Sequence, residues 1–197
     1  MKVSNWGMYP STEAEVRSFG TEAEALQSLS DWQELIPRGL GRCYGDSSLN
    51  SHILSTLKFN RFLDFDREQG ILRCQSGLSF EEVLKVIVPA GWFLPVTPGT
   101  KFVTLGGAIA ADVHGKNHHS EGSFSTHLQS LTLLAPGGRV YVCSRTEHPE
   151  IFWATCGGMG LTGVILEGTF KLKKIETAYI VEESTKTKNV DALYRLF

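Results

Sequence analysis

The sequence lacks an excess of charge of either sign. Its 197 residues carry 19 Lys and Arg against 21 Asp and Glu, so the formal net charge at pH 7 is −2. A protein whose whole surface neutralises a nucleic-acid backbone needs a strong positive excess. The composition therefore argues against a nucleic-acid partner.

Cysteine is scarce, and long apolar runs are missing. The four cysteines are Cys43, Cys74, Cys143 and Cys156. They form no Cys-x-x-Cys pair, so we expect reduced thiols and no zinc-finger type of site. The N-terminus has no apolar signal-peptide core, and Lys85, Pro89 and Asp112 interrupt the apolar stretches before the ~18 residues that a membrane span requires. We expect a cytoplasmic chain without a transmembrane segment.

Glycine, by contrast, is abundant, with 20 residues in 197 against an average usage of roughly 7%. Three glycine clusters stand out: the first at 38–46, the second at 98–115 and the third at 157–163. Glycines mark places where the main chain turns sharply or approaches another group closely. Successive N–H groups in such turns form concave nests that bind anions, whereas tight turns that bind nothing are the alternative.

Local patterns place the clusters in a mixed chain. Ser79 and Glu82 have the spacing of a capping box and predict a short helix that ends before Pro89. Periodicity and turn residues further predict a helix over 147–155, hairpins over 63–74 and 131–142, a strand over 164–172 and an amphipathic helix over 190–197. This mixed order favours an α+β architecture over repeating βαβ units.

The familiar phosphate-loop motifs do not fit these clusters. The first cluster has the spacing G-x-G-x-x-x-G, one residue too long for a dinucleotide fingerprint, and no helix pattern follows it. The third contains G-x-G-x-x-G, but it follows a helix and precedes a strand, which reverses the order that a Rossmann site requires. Gly115-Lys116-Asn117 lacks the Ser or Thr of a P-loop. Arg38 and Arg42 flank the first cluster and would add charge-assisted bonds to phosphate oxygens.

Histidines are concentrated just after the second cluster. His114 and His118 have the i, i+4 spacing of a zinc pair on a helix. No acidic or cysteine ligand stands at motif spacing, and Gly115 weakens the helix that this geometry needs. We therefore predict no metal site, and expect either hydrogen-bonded structural histidines or one turned toward a ligand.

Three segments resemble the FAD-binding domain of vanillyl-alcohol-oxidase-type (PCMH-type) flavoproteins. They are RGLGRCYGD (38–46), PVTPGTKFVTLGGAIAADVHGKNHH (95–119) and FWATCGGMGLTGVI (152–165). The resemblance runs from about Trp6 to Tyr179. It implies an α+β domain in which two subdomains, 1–66 and 67–184, clasp an extended FAD. Residues 185–197 would then begin a truncated substrate domain. The resemblance therefore implies a chain that lacks nearly all of the substrate domain.

The resemblance also implies roles for individual residues. The pyrophosphate would lie against Pro37, Arg38, Gly39, Leu40, Gly41, Arg42, Cys43, Tyr44, Gly45, Asp46 and Ser47. The second cluster would close from the other side with Gly99, Thr104, Leu105, Gly106 and Gly107. Ala111, Asp112, Val113 and His114 would follow the flavin ring and ribityl chain, and Ile165 would reach the adenine through its backbone. His114 is the candidate catalytic residue that faces the flavin, with Tyr44 and Lys116 as further candidates for lining the site.

Two residues depart from the family pattern. Arg42 stands where a histidine carries the flavin covalently in the sugar-acid and alditol oxidases, so a non-covalent FAD is implied. Met159 stands where asparagine is expected in oxidases of polyprenyl-phosphate pentoses. The contact of this position with the cofactor is therefore left open.

The chemistry that the resemblance implies is FAD-dependent oxidation of a secondary alcohol on a sugar. The substrate would be a small or lipid-linked sugar such as a polyprenyl-phosphate pentose, oxidised at its 2′-position in cell-wall synthesis. A reductase partner would complete an epimerisation, and the protein would contact a membrane only peripherally. The alternatives are an aldonolactone or alditol oxidase, a non-catalytic nucleotide-binding module, and a structural domain whose glycine loops bind nothing.

Overall fold

The computed structural model describes residues 1–196 as a mixed α and β chain. The strands are β1 (Lys2–Ser4), β2 (Ser11–Glu13), β3 (Glu15–Ser18), β4 (Ile36–Arg38), β5 (His52–Ser55), β6 (Phe62–Asp66), β7 (Ile71–Gln75), β8 (Trp92–Phe93), β9 (Leu128–Leu134), β10 (Val140–Ser144), β11 (Val164–Lys171) and β12 (Lys173–Lys174). The α-helices are α1 (Glu22–Asp31), α2 (Phe80–Ile87), α3 (Leu105–Ala110), α4 (His118–Glu121), α5 (Phe124–His127), α6 (Pro149–Thr155) and α7 (Val190–Tyr194). The predicted α+β class is confirmed.

Two sheets form the framework. A parallel sheet has the strand order β3-β5-β4, and a larger antiparallel sheet has the order β10-β9-β11-β7-β6. The short pairs β1–β2 and β8–β12 complete the pairing. The parallel sheet comes from the first third of the chain, so the order of elements changes from parallel to antiparallel along the sequence.

The local patterns located the regular elements well. Helix α2 has the complete capping box, since Glu82 N donates to Ser79 Oγ at 3.2 Å and Ser79 N donates to Glu82 Oε2 at 2.9 Å. Both predicted hairpins form, as β6–β7 and β9–β10. The predicted helix over 147–155 starts later, at Pro149, because His148 adopts a left-handed conformation ahead of it. The predicted strand over 164–172 is β11.

A large apolar core lies between the antiparallel sheet and its helices. Its fully buried members include Phe80 from α2, Leu105 from α3 and Phe124 from α5, which pack on Phe170 and Leu131 of the sheet. Burial of aromatic side chains of this size dominates the energetics of such a core. The core therefore fixes α3, whose residues border the candidate site.

A second, smaller core joins the two sheets. Phe19 and Leu54 of the parallel layer pack with Leu134, Val164 and Leu166 of the antiparallel sheet. All five side chains are at most 1% exposed. Because well-packed interiors resist deformation, this contact holds the loops between the sheets at a fixed separation.

The sheets also show where the chain passes from one layer to the other. Strand β6 pairs with β7, so the chain passes from the parallel sheet to the antiparallel sheet between Ser55 and Phe62. The subdomain boundary at residue 66 stays a prediction. Residues 175–189 are almost entirely exposed and contain no helix or strand. Helix α7 lies within the predicted helix over 190–197, of which Phe197 falls outside the described residues. Among residues 1–196, no helix is long and apolar enough to cross a membrane.

Replacement of Phe124 should test the larger core. Its ring lies 5.6 Å from that of Phe80 and 5.3 Å from that of Phe170, and the side chain is completely buried. We expect Phe124→Ala to lower the free energy of unfolding by about 3–5 kcal/mol, because it leaves a cavity among packed rings. Urea denaturation measures this loss. The matched control is Phe102→Ala, whose ring is 44% exposed, and equal losses for the two variants would contradict the assigned core.

Candidate functional site

The three glycine clusters meet at one cleft between the parallel sheet and α3. The cleft encloses about 840 Å³ of empty volume, part of it open to solvent. It is lined by Pro37, Arg38, Gly39, Leu40, Gly41, Arg42, Cys43, Ser47, Ser48, Thr56, Val103, Thr104, Gly106, Gly107, Ala110, Ala111, Val113, Met159, Gly160, Gly163 and Ile165. Segments more than 100 residues apart in the sequence thus share one surface.

Two glycines let the backbone pass close to side chains of the neighbouring segments. A Cβ atom on Gly39 would lie 3.0 Å from Thr104 Cγ2, and one on Gly160 would lie 3.1 Å from Pro37 Cγ. Gly160 also has a φ of +82°, which other residues rarely adopt. Glycine at these two positions therefore lets the first cluster approach both the second and the third.

The loop from Gly39 to Ser48 has backbone donors to spare. None of the N–H groups in this stretch makes a hydrogen bond of normal geometry to any acceptor within residues 1–196. Gly41 is buried, Arg42 and residues 44–46 are exposed, and the rest of the loop is half-buried. Since buried or half-buried N–H groups require a partner, the donors away from the exposed residues await a bound water or a ligand rich in acceptors.

The Arg38 side chain connects this loop to the N-terminal segment through hydrogen bonds. Its Nη2 donates to Ser4 O at 2.7 Å, and its Nη1 donates to Ser48 Oγ at 3.0 Å and to Asn5 Oδ1. Burial lowers the pKa of the Arg38 guanidinium. Sequence patterns assigned Arg38 to phosphate, and in the structure both terminal nitrogens donate to protein acceptors.

Arg42 occupies a different position. It is exposed, its Nη1 donates to Leu40 O at 2.7 Å, and its guanidinium lies 5.7 Å from the centre of the Trp6 ring. It lines the cleft as well. Of the two arginines, Arg42 is thus the one whose charge remains available at the cleft.

In the second cluster, the backbone N–H groups of residues 105–107 already have hydrogen-bond partners within the protein. Thr104 caps α3 by accepting from Gly107 N at 3.2 Å, and Gly106 N donates to Ser76 O at 2.8 Å. Leu105 N donates to Leu78 O, and the Leu105 side chain is buried in the core. The wall of the cleft on this side is consequently a surface of glycine and alanine.

Asp112 and His114 do not line the cleft in this structure. The Asp112 carboxylate accepts from Ser123 Oγ at 2.8 Å and from Ser125 N at 2.8 Å, so it holds the start of α5. His114 is exposed, and its ring lies 5.3 Å from that of His118. No group of three or more His, Cys, Asp or Glu side chains in residues 1–196 is arranged to hold a metal ion.

Most predicted site residues reach the cleft, and some do not. Those outside its lining are Tyr44, Gly45, Asp46, Gly99, Leu105, Asp112 and His114. Ile165 lines it from β11, next to a bulge between Ile165 and Glu167.

The cleft also contains residues that the sequence patterns did not assign to the site. They are Ser48, Thr56, Val103, Ala110, Met159, Gly160 and Gly163. The G-x-G-x-x-G spacing of the third cluster was the available signal for Gly160 and Gly163. Met159, which replaces the expected asparagine, donates its N–H to Ala110 O at 2.8 Å and so joins the third cluster to α3.

Comparison with known proteins identifies similar sequences and folds. The model of a family described as FAD binding domain matches residues 8–144. Decaprenylphosphoryl-beta-D-ribose oxidase of Mycolicibacterium smegmatis is 36% identical over 96% of this chain and 43% of its own length. L-gulonolactone oxidase of Scyliorhinus torazame is 27% identical over 85% of this chain and 39% of its own length. The chain thus spans less than half the length of these curated relatives.

A solved structure shows the same fold. The Physcomitrella patens BBE-like 1 wild-type structure superposes with a TM-score of 0.73 at 18% sequence identity. The match covers 81% of this chain and 36% of that chain. At this level of identity the likeness concerns the fold alone.

Substitution of Gly39 should test the contact between the first and second clusters. We expect Gly39→Ala to lower the free energy of unfolding by about 1–3 kcal/mol, because its Cβ would push the loop off Thr104. The matched control is Gly99→Ala, whose Cβ would meet nothing within 4 Å. Urea denaturation of both variants measures the difference, and a Gly39→Ala protein as stable as Gly99→Ala would rule out the close contact.

Proposed function

Since this chain belongs to the FAD binding domain family of vanillyl-alcohol-oxidase-type flavoproteins, we propose that it forms the FAD-binding part of an enzyme that oxidises a secondary alcohol of a sugar. The favoured substrate is a polyprenyl-phosphate pentose, oxidised at its 2′-position. FAD would supply the hydride acceptor, which amino-acid side chains lack.

The observation that carries the proposal is the set of free N–H groups in the cleft-lining residues of the 39–48 loop, which are 39–43, Ser47 and Ser48. A diphosphate offers many acceptor oxygens in a short length, and backbone N–H groups bind such an anion without a net positive charge on the protein. The chain has a net charge of −2, so local donors have to do this work. The residues present therefore fit the cofactor.

The other walls of the cleft suit the remaining parts of FAD. Gly106, Gly107, Ala110 and Ala111 line the cleft with small residues, where a planar ring system can lie close to the backbone. We assign Ile165, which lines the cleft from β11, to the adenine through its backbone. Val113 also lines the cleft, and we assign the adjoining, exposed His114 to the flavin.

We propose that the cofactor is held without a covalent bond. Arg42 occupies the position at which covalent relatives carry histidine, and a protonated guanidinium is not a nucleophile. The exposed cation instead offers a charge-assisted bond to an acceptor in the cleft.

Support for the substrate class comes from one relative. The 36% identity to decaprenylphosphoryl-beta-D-ribose oxidase extends over 96% of the chain, whereas the 27% identity to an L-gulonolactone oxidase covers 85%. The alternative functions are an aldonolactone or alditol oxidase and a nucleotide-binding module without catalysis. Two further points stay predictions. One is a reductase partner that completes the epimerisation, and the other is that this protein is cytoplasmic and contacts a membrane only peripherally.

Cofactor binding can be tested on the chain itself. We expect the protein to show the absorption bands of bound flavin after FAD is added and the excess removed. Acid precipitation should release all of the colour into the supernatant. FAD should also slow alkylation of Cys43, which lines the cleft, by about tenfold at a FAD concentration ten times its Kd. Protein that stays colourless, with Cys43 labelled equally fast with and without FAD, would contradict the assignment.

Cys156 provides an internal control for the labelling. Burial raises the pKa of its thiol to about 12, so at pH 8 only about one molecule in 10⁴ carries the reactive thiolate. Alkylation of Cys156 should therefore be slow and indifferent to FAD. Its rate should still be rising with pH at pH 9, because a raised pKa postpones ionisation.

The substrate class requires the full-length gene product. Assayed on a polyprenyl-phosphate pentose and an aldonolactone side by side, it should reduce its flavin with the pentose at a kcat/KM at least about 100-fold higher, the discrimination that a few hydrogen-bonded hydroxyl groups provide. The control is the same assay on protein stripped of flavin. Faster flavin reduction by the lactone would favour the aldonolactone oxidase instead.

A further inference from the structure

Asn5, in the N-terminal segment, is one of the few polar side chains that are almost completely buried. It is 3% exposed and directly follows β1. No pattern in the sequence links it to a glycine cluster, and it does not line the cleft. Its side-chain hydrogen bonds all go to the loop that carries the free N–H groups and to the arginine that precedes this loop.

The carboxamide of Asn5 uses both of its ends on this loop. Nδ2 donates to Gly45 O at 3.0 Å and to Ser47 O at 2.5 Å. Oδ1 accepts from Arg38 Nη1 and from Ser48 Oγ, the latter at 3.5 Å. One side chain thus binds the carbonyls of two alternate loop residues and orients the guanidinium that holds the same loop.

The neighbouring residue extends the pattern along the backbone. Trp6 N donates to Cys43 O at 3.2 Å. The N-terminal segment therefore binds the carbonyls of Cys43, Gly45 and Ser47, which are spaced two residues apart.

Because the peptide unit is planar, these contacts to the carbonyls also fix the direction of the neighbouring N–H groups. In a trans peptide, the C=O of one residue and the N–H of the next point in opposite directions. When the carbonyls of residues 43, 45 and 47 point toward the N-terminal segment, the N–H groups of Tyr44, Asp46 and Ser48 point away from it. These three N–H groups belong to the free set, and of the three residues Ser48 lines the cleft, whereas Tyr44 and Asp46 are exposed outside its lining.

We infer that Asn5 is a positioning residue for the cofactor: it holds the carbonyls of the 39–48 loop so that the free N–H groups at the cleft, that of Ser48 among them, stay aimed at the diphosphate. The inference rests on the proposed function, since it requires that the chain binds FAD. Asn5 does not line the cleft itself and acts through Arg38, Ser47 and Ser48, which do.

Asn5→Asp and Asn5→Ala test this role with different perturbations. The aspartate keeps an acceptor for Arg38 but places a charged oxygen against two carbonyls, whereas alanine removes all the contacts. We expect both to weaken FAD binding roughly 10- to 100-fold, the value of one or two lost buried hydrogen bonds, in a titration followed by flavin absorbance. The control is Asn50→Ala, whose carboxamide accepts only from Ser51 Oγ and lies outside the cleft.

Hydrogen exchange separates positioning from general stabilisation. In the wild-type chain, FAD should protect the amides of peptides that cover 39–48. In the Asn5 variants this protection should be lost at the same FAD concentration, while the amides of β7, β9 and β11 exchange as slowly as in the wild type.

The outcomes are distinguishable. A wild-type chain that binds no FAD refutes the proposed function. A wild-type chain that binds FAD without protecting 39–48 overturns the inference even if the variants do not fold. Folded variants that bind FAD as tightly as wild type also overturn it and leave the proposed function intact.

Discussion

The requirement that every buried backbone donor find a partner shapes the cleft of this protein. Ten consecutive N–H groups, from Gly39 to Ser48, lack a hydrogen bond of normal geometry among the described residues. Residues 42 and 44–46 are exposed to water, but the other six are buried or half-buried, and leaving N–H groups unpaired there costs free energy. In the same loop, the carbonyls of Cys43, Gly45, Ser47 and Ser48 accept hydrogen bonds from Trp6, Asn5 and Arg38. From residue 43 to residue 48 the loop is therefore one-sided, with these acceptors bound to protein and its donors left over.

A one-sided loop is useful only if its surroundings hold it still. The small core that contains Phe19, Leu54 and Leu134 fixes the parallel sheet against the antiparallel sheet. Gly39 and Gly160 then allow backbone contacts that any side chain would prevent. Packing in the two cores thus stabilises the separation between the walls of a cleft that the protein does not fill with its own side chains.

Local features of the sequence predicted much of this fold, and long-range ones did not. The capping box at Ser79 and the two hairpins depend on residues a few positions apart, so their patterns were readable. The glycine clusters marked the cleft because glycine has a backbone cost wherever it is fixed. Asn5 and Arg38 are separated by 33 positions, and only the folded chain shows that they share a network. Asp112 likewise turns toward Ser125, 13 residues away, which no spacing rule indicates.

The side chains that line the cleft limit what it can do chemically. Within the described residues they include no carboxylate, histidine, lysine or tyrosine, and Arg38, Arg42 and Cys43 are the titratable groups. Arginine stays protonated at any ordinary pH, so it neither accepts nor relays a proton. A cleft of this kind binds and orients a cofactor but has no general base for an alcohol.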